Sequence, residues 1–339
     1  MILEQLRAQI LTTLGPVIRV SPNELSFASL TSFKTIYGHP PSGQTIPTKD
    51  EFYDMYGAAH KEGCIGSERD PQKHNRMKRS LAGSFSTRAL VEQEPTINKC
   101  VDEFITKIRS MPLVDTKGLD MTHWFEMVAF DILGEMAFGE SFGAVESGGE
   151  TIATELTGII YYLLTVPRTH AKLAQEIRDA FTSYSAISAT AAQRLPYLQA
   201  VIEEGLRIYP SGALGFPRKS PGIRIDGYWI PSGVEIYTSS WTTHHDPQYF
   251  HDPDTFKPER WLSESSDIKE ASQPFSLGPR GCLGRNFAYA EMSLILAKML
   301  WTYDVELVNV DINLPGQGRM HVMWWKPPMY IRFRPKLAL

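Results

Sequence analysis

The run Phe275-Ser276-Leu277-Gly278-Pro279-Arg280-Gly281-Cys282-Leu283-Gly284 sets one cysteine in a glycine-rich loop, directly before an expected amphipathic helix from Asn286 to about Trp301. A thiol at a helix start feels the positive end of the helix dipole, which lowers its pKa and favours thiolate. A thiolate beside Arg280 is suited to bind a soft metal. The glycines let the backbone approach a flat, bulky group closely, and Phe275 is placed to shield the sulfur from water. Each residue alone has an ordinary reading. A lone cysteine is commonly a small buried hydrophobe, and glycines before a helix are common loop chemistry.

The combined pattern F-x-x-G-x-R-x-C-x-G resembles the haem-binding loop of the cytochrome P-450 family. That resemblance implies haem b, with the Cys282 thiolate as proximal iron ligand and Phe275 and Gly284 beside it. It also gives Glu204-x-x-Arg207 a role. Read by spacing alone, these two share one helix face and form a surface ion pair worth under about 1 kcal/mol. In the resembling family, such a pair joins a later arginine, here Arg260 of Pro258-Glu259-Arg260-Trp261, in a buried triad that locks the loop behind the haem.

Ser147-Gly148-Gly149-Glu150-Thr151 has two readings. By spacing it is a capping box, in which Ser147 caps a helix and Glu150 reaches back. By resemblance it matches the small-Gly-x-acid-Thr pattern over the distal haem face, where Glu150 and Thr151 relay protons for oxygen activation. Both readings stand together. Haem carries two propionates, so cationic side chains are expected around it. The resemblance offers Arg280, Arg218 after Phe216-Pro217, and His74 with Lys78 where the family has Trp-x-x-x-Arg. The last pair keeps donors but loses the guanidinium fork. His244-His245-Asp246 invites a metal reading, but no further ligand stands at suitable spacing, so a solvated or propionate-facing histidine is expected.

Several elements must position these groups. Val17–Val20 reads as a strand. Asp70-Pro71 starts a helix, with a capping Asp and Pro in the first turn, ending at Lys78-Arg79. Ser86 starts another that Pro95 interrupts, and Ile97, Val101, Phe104 and Ile108 mark a further helix. Trp124 to Met136 is helical, Gly139 to Gly149 is a glycine-rich junction, and a helix resumes near Glu150. Leu173, Ile177 and Phe181 mark a surface helix, and Pro196 opens the helix Tyr197–Ile208. Ile223–Ile225 and Tyr228–Ile230 flank Asp226-Gly227, a hairpin signal. Val234–Tyr237 is a candidate third strand, and Met329–Phe333 a closing one.

Composition sets outer limits. The 339 residues are 42% hydrophobic and 21% charged, which excludes disorder as a main theme, and a net charge of −4 gives nucleic-acid binding no electrostatic support. Cys64, Cys100 and Cys282 are too few and scattered for a disulfide scaffold or a C-x-x-C zinc site, so a reducing compartment is expected. The longest apolar run, Leu156 to Pro167, is too short for a membrane span of roughly 20 residues. A chain without span or signal peptide is expected to be cytoplasmic or peripheral.

The resemblance runs from about Gly15 to Pro335, through "HWFEMVAFDILGEMAFGESFG", "LPYLQAVIEEGLR" and "WKPP". Two parts of the family pattern are missing: the N-terminal anchor with its first helix, and the helices between Gly143 and Ser147 that roof the substrate pocket. The expected fold is therefore mainly α with small β-sheets, an internally truncated cytochrome P-450 fold forming a single domain over 1–339. The function it implies is a haem-thiolate monooxygenase that inserts one oxygen atom into a small hydrophobic substrate, in fungal secondary metabolism. Its electrons would come from NADPH through a separate reductase. The alternatives are a truncated, non-catalytic haem-binding remnant and peroxygenase chemistry without a reductase.

Overall fold

The computed structural model describes residues 15–57, 63–111, 117–138, 150–262, 264–321 and 323–336. Helices of eight or more residues, among those described, are α1 (Leu30–Tyr37), α2 (Pro71–Ala82), α3 (Thr87–Ser110), α4 (Met121–Phe138), α5 (Glu150–Thr165), α6 (Pro167–Ala180), α7 (Pro196–Ile208) and α8 (Arg285–Thr302). The strands are β1 (Val17–Ser21), β2 (Glu24–Phe27), β3 (Thr48–Lys49), β4 (Leu119–Asp120), β5 (Arg218–Lys219), β6 (Ile223–Ile225), β7 (Tyr228–Ile230), β8 (Glu235–Thr238), β9 (Tyr303–Leu307), β10 (Arg319–Met320), β11 (Trp324–Trp325) and β12 (Tyr330–Pro335). The molecule is thus mainly helical with small sheets. The Gly139–Gly149 junction, with Ser147, lies outside the described residues.

The strands form a five-stranded sheet in the order β1-β2-β8-β5-β3, a three-stranded sheet β4-β12-β9, and the pairs β10-β11 and β6-β7. The β6-β7 hairpin turns as the sequence predicts, with Asp226 at φ 48° and Gly227 at φ 85°, the left-handed pair that a tight two-residue turn requires. The candidate third strand does not extend this hairpin. As β8 it lies parallel to β2 and antiparallel to β5, carrying Arg218 and Lys49 (opposite each other across β5 and β3) toward the site.

A large apolar core is built on α3 to α8, and a smaller one joins α1 to the five-stranded sheet through Phe27, Phe33, Tyr37 and Ile236. The helix after the cysteine loop differs from a one-faced surface helix. From Phe287 to Leu300, α8 is buried on nearly every side, because α3, α6 and α7 all pack on it. Helix α7 meets α5 so closely that a Cβ at Gly205 would lie 2.2 Å from Ile159 Cγ1. Glycine is what permits that crossing.

Pro95 does not interrupt its helix. One continuous α3 runs Thr87–Ser110 with Pro95 inside it. A proline there removes one backbone hydrogen bond, but Leu90 on one side and Ile97, Val101, Phe104 and Ile108 on the other enter the same core. At roughly 1.5–3 kcal/mol for each such side chain, burial outweighs the lost bond. Helix α2 likewise continues past Arg79 to Ala82, and its Asp70 cap accepts from the backbone N–H of Gln72 and Lys73.

Candidate haem site

The cysteine loop is held from below by a knot of buried charge. Both Glu204 and Arg207, on α7, are fully buried, as is Arg260 save for 2%. Arg207 reaches Glu204 through Nε at 2.9 Å and Nη2 at 2.8 Å, and Arg260 Nε donates to the same carboxylate at 3.1 Å. Trp261 Nε1 and the Lys257 N–H complete its shell at 2.9 Å each. Arg207 Nη1 also donates to the carbonyls of His244 and Pro253, both at 2.7 Å. Asp267, which no motif marks, accepts from Arg260 Nη1 at 2.7 Å. The resemblance-based triad is therefore one buried network.

His244 belongs to it. The imidazole is buried, Nδ1 lies 2.9 Å from the Arg207 carbonyl, and Nε2 accepts the Gln273 N–H at 3.1 Å. An accepting Nε2 places the proton on Nδ1. Burial first, then His245 and Arg207, hold its pKa down at about 3. With both nitrogens engaged it is neither solvated nor free to face a ligand. Neighbouring His245 is stacked on Trp241, centroids 4.0 Å apart.

Above the knot, the loop folds into a short turn. Gly278, at φ 63°, sits against α1: a Cβ there would lie 2.5 Å from the Tyr37 carbonyl oxygen. This glycine serves loop-to-helix packing, not the approach of a cofactor. The Cys282 N–H donates to the Phe275 carbonyl at 2.8 Å, closing the loop around the sulfur. Gly284 is the N-cap of α8, and Phe275 packs on Tyr289 at 5.3 Å between centroids.

Cys282 opens onto a cavity of about 540 Å³. Its residue surface is exposed on that side, with protein enclosing the others. That enclosure raises the thiol pKa; the Gly284 N–H, Lys78 and Arg285 pull it down without prevailing. The lowered pKa expected from the helix start is therefore not found, because desolvation outweighs dipole and cations. A bound metal cation reverses that balance, since a coordinating thiol is deprotonated outright.

The same cavity gathers the cationic residues. Arg280 donates to the carbonyls of Glu68 (2.7 Å) and Arg69 (3.0 Å). Arg218 donates to the Tyr53 hydroxyl and, at 2.9 Å, to the Pro217 carbonyl. Lys78 Nζ reaches the Pro279 and Gly281 carbonyls at 2.8 and 3.3 Å, so it braces the cysteine loop as well as lining the cavity. His74 is buried beside them. Lys49 is a fifth member that sequence reading missed, bonded to the Ile65 and Gly66 carbonyls at 3.0 and 2.5 Å. Nothing in its surroundings, Thr48-Lys49-Asp50, marks it; only the pairing of β3 with β5 brings it in.

These groups lean on one another. Burial first, then Arg280 and Arg218, lowers the Lys49 pKa to about 7. Burial, Arg280 and Lys49 lower His74 to about 4, and burial with Arg218 lowers Arg280 to about 10. Among the described residues none of the five forms an ion pair; their partners are carbonyls and one hydroxyl. A cradle of basic side chains beside a thiol and an apolar wall of Ile152, Leu206, Ala288 and Met292 matches haem, whose two carboxylates call for cationic partners and whose iron takes a thiolate among its axial ligands. The donor set fits the group.

Helix α5 supplies the cavity's remaining polar side. Thr151 lines it and is exposed. Glu150 is the first described residue of α5. Glu155, one turn after Thr151, also lines the cavity and was not singled out from sequence.

The comparisons agree with this geometry. The family model described as Cytochrome P450 matches residues 47–149 and 145–333. Cytochrome P450 monooxygenase ORF9 of Penicillium roqueforti is 48% identical over 94% of this chain and 82% of its own length. Cytochrome P450 monooxygenase BOT4 of Botryotinia fuckeliana is 39% identical over 94% and 79%. Trichothecene C-15 hydroxylase of Fusarium sporotrichioides is 29% identical over 95% and 86%. Each alignment to ORF9 or BOT4 spans 416 positions against a chain of 339 residues, and the family match breaks in two near residue 145. The chain is a shortened relative, and with a cysteine loop, a charge knot and a cationic cradle around one cavity it belongs to the cytochrome P450 family.

Proposed function

We propose that this chain is a haem-thiolate monooxygenase that hydroxylates a small hydrophobic molecule in fungal secondary metabolism, with electrons passed from NADPH by a separate reductase. The observation that carries this reading is the convergence of Cys282, four basic side chains and His74 on one cavity, none of the five in an ion pair among the described residues. Haem ligated by a thiolate supplies dioxygen activation. Cys282 Sγ would hold its iron, while Phe275, in the same loop, packs on Tyr289 and the Gly284 N–H points at the sulfur. Arg218, Arg280, His74, Lys78 and Lys49 take the two propionates. Thr151 Oγ1, which lines the cavity, would hold and pass on a proton there, in a relay with Glu150. The apolar wall excludes water and orients the substrate.

The names of the relatives support the chemical class. ORF9 and BOT4 are named monooxygenases, and the Fusarium protein a hydroxylase. The test is product formed per NADPH consumed, with a fungal reductase and a panel of hydrophobic substrates. Turnover with product supports the reading; NADPH consumption without any product overturns it.

A second reading draws on the break in the family match near residue 145. The segment absent from this chain roofs the pocket in the resembling family, and without a lid a haem pocket exposes its centre to water. On this reading the chain binds haem but leaks its electrons as peroxide. Thr151→Ala separates the two: it lowers coupling sharply in a closed site and changes little in an open one.

A further inference from the structure

We propose that Glu155 is a specificity-determining acid that donates a hydrogen bond to an acceptor oxygen, carbonyl or hydroxyl, on the substrate. The inference rests on the monooxygenase reading and narrows its substrate to an apolar skeleton that already carries oxygen. Glu155 is 5% exposed and stands one turn beyond Thr151 on α5, in the wall of the cavity. Its Oε1 accepts the Ser211 N–H at 2.8 Å. Its Oε2 is buried and, among the described residues, has no hydrogen-bond partner.

No cation neutralises it among the described residues. Lys326, which reaches the adjacent Thr154 hydroxyl at 3.0 Å, pairs with Glu126 at 3.1 Å instead. Burial accordingly raises the Glu155 pKa to about 8, against the opposing pull of Ser211, so the group is mainly a neutral acid near neutral pH. Oε1 is already an acceptor, which leaves the proton on Oε2. A buried donor without an acceptor is unfavourable. The apolar wall, Ile152, Leu206, Ala288 and Met292, offers no side-chain oxygen, and the Ser211 hydroxyl, the polar neighbour there, acts on the carboxyl as a donor. The terminal carboxyl torsion is soft, so a modest turn can direct Oε2 toward a ligand in the cavity that Glu155 lines. A ligand oxygen then satisfies it, whereas a ligand without one leaves it unpaired. Helix α5 thus sorts ligands of equal shape by one oxygen.

The experiment compares adamantanone with methyleneadamantane, near-isosteric probes differing in that oxygen, on the parent chain, Glu155→Gln and Glu155→Leu. Binding is read by ligand-induced thermal shift, and the protonated carboxyl stretch by infrared difference spectroscopy. The parent should bind the ketone about tenfold more tightly. Glu155→Gln keeps a donor and part of that preference; Glu155→Leu loses it. The carboxyl band should shift to lower frequency with ketone and be missing from Glu155→Leu. Equal binding of both probes by the parent, an unchanged preference in Glu155→Leu, or a band unmoved by ketone overturns the proposal. The carbon monoxide difference spectrum, recorded on the same three proteins, reports the haem reading separately.

Discussion

Lys49 shows how single residues register the demand for an anionic ligand. Its pKa sits at about 7 instead of 10.5, so between these values the unfolded chain holds a proton that the folded chain releases. Stability of the cofactor-free protein should therefore rise with pH across that window, and the contribution should be at its lowest below about 7. Lys49→Met should flatten the rise, as followed by urea unfolding at a series of pH values; an equal slope in parent and variant would contradict the burial argument. His74 adds a similar rise from about 4 toward 6.5. At this scale the sequence was legible where a motif fixed the residue: Cys282, Arg280 and Arg218 all face the cavity. Lys49 and Glu155 were not legible, because their place depends on which strand or helix crosses next to which. The sulfur's pKa was misjudged for a related reason. A helix start is visible in sequence, but the protein enclosing it is not.

At the level of elements, α3 and the charge knot give opposite lessons about breaking local rules. Pro95 is exposed and costs α3 a hydrogen bond while packing nothing in the core. Pro95→Ala should raise stability, by up to about 3 kcal/mol, seen as a higher Tm in the purified protein. A fall would mean the proline shapes the helix to its core. Sequence reading stopped the helix there because the local penalty is visible and the long-range burial of Ile97 through Ile108 is not. The knot behaves the other way. Arg207→Ala leaves Glu204 buried with reduced compensation, a loss of roughly 3–5 kcal/mol, so little soluble holoprotein should result. Arg207→Ala and Arg260→Ala should be strongly non-additive. A variant that expresses and unfolds like the parent would contradict the shared network. Here the motif did foretell the element contacts, since Glu-x-x-Arg and Pro-Glu-Arg-Trp were read together. Asp267, joined to the knot by loop conformation, and His244, at the end of the short helix Ser240–His244, stayed out of reach.

For the whole molecule, the architecture was legible because helix periodicity, the Asp226-Gly227 turn and the loop motif agreed on one fold. The shortening was legible too, as a sequence that passes from Gly143 to Ser147 where the family pattern continues; the two-part family match falls at the same place. No helix among the described residues is long and apolar enough to cross a membrane. Should the distal side be open, product per NADPH should be low and peroxide high, and Thr151→Ala should alter neither. Tight coupling with a sharp loss in Thr151→Ala would show that the shortened chain builds a closed site.

The proposed function depends on one proposed bond, from Cys282 to haem iron, and the carbon monoxide difference spectrum of the reduced protein reads it directly. The parent, Cys64→Ala and Cys100→Ala should each show the thiolate-type Soret band, and Cys282→Ala should lose it while the fold, followed by circular dichroism, persists. A parent without that band, or a Cys282→Ala protein that keeps it, would contradict the account.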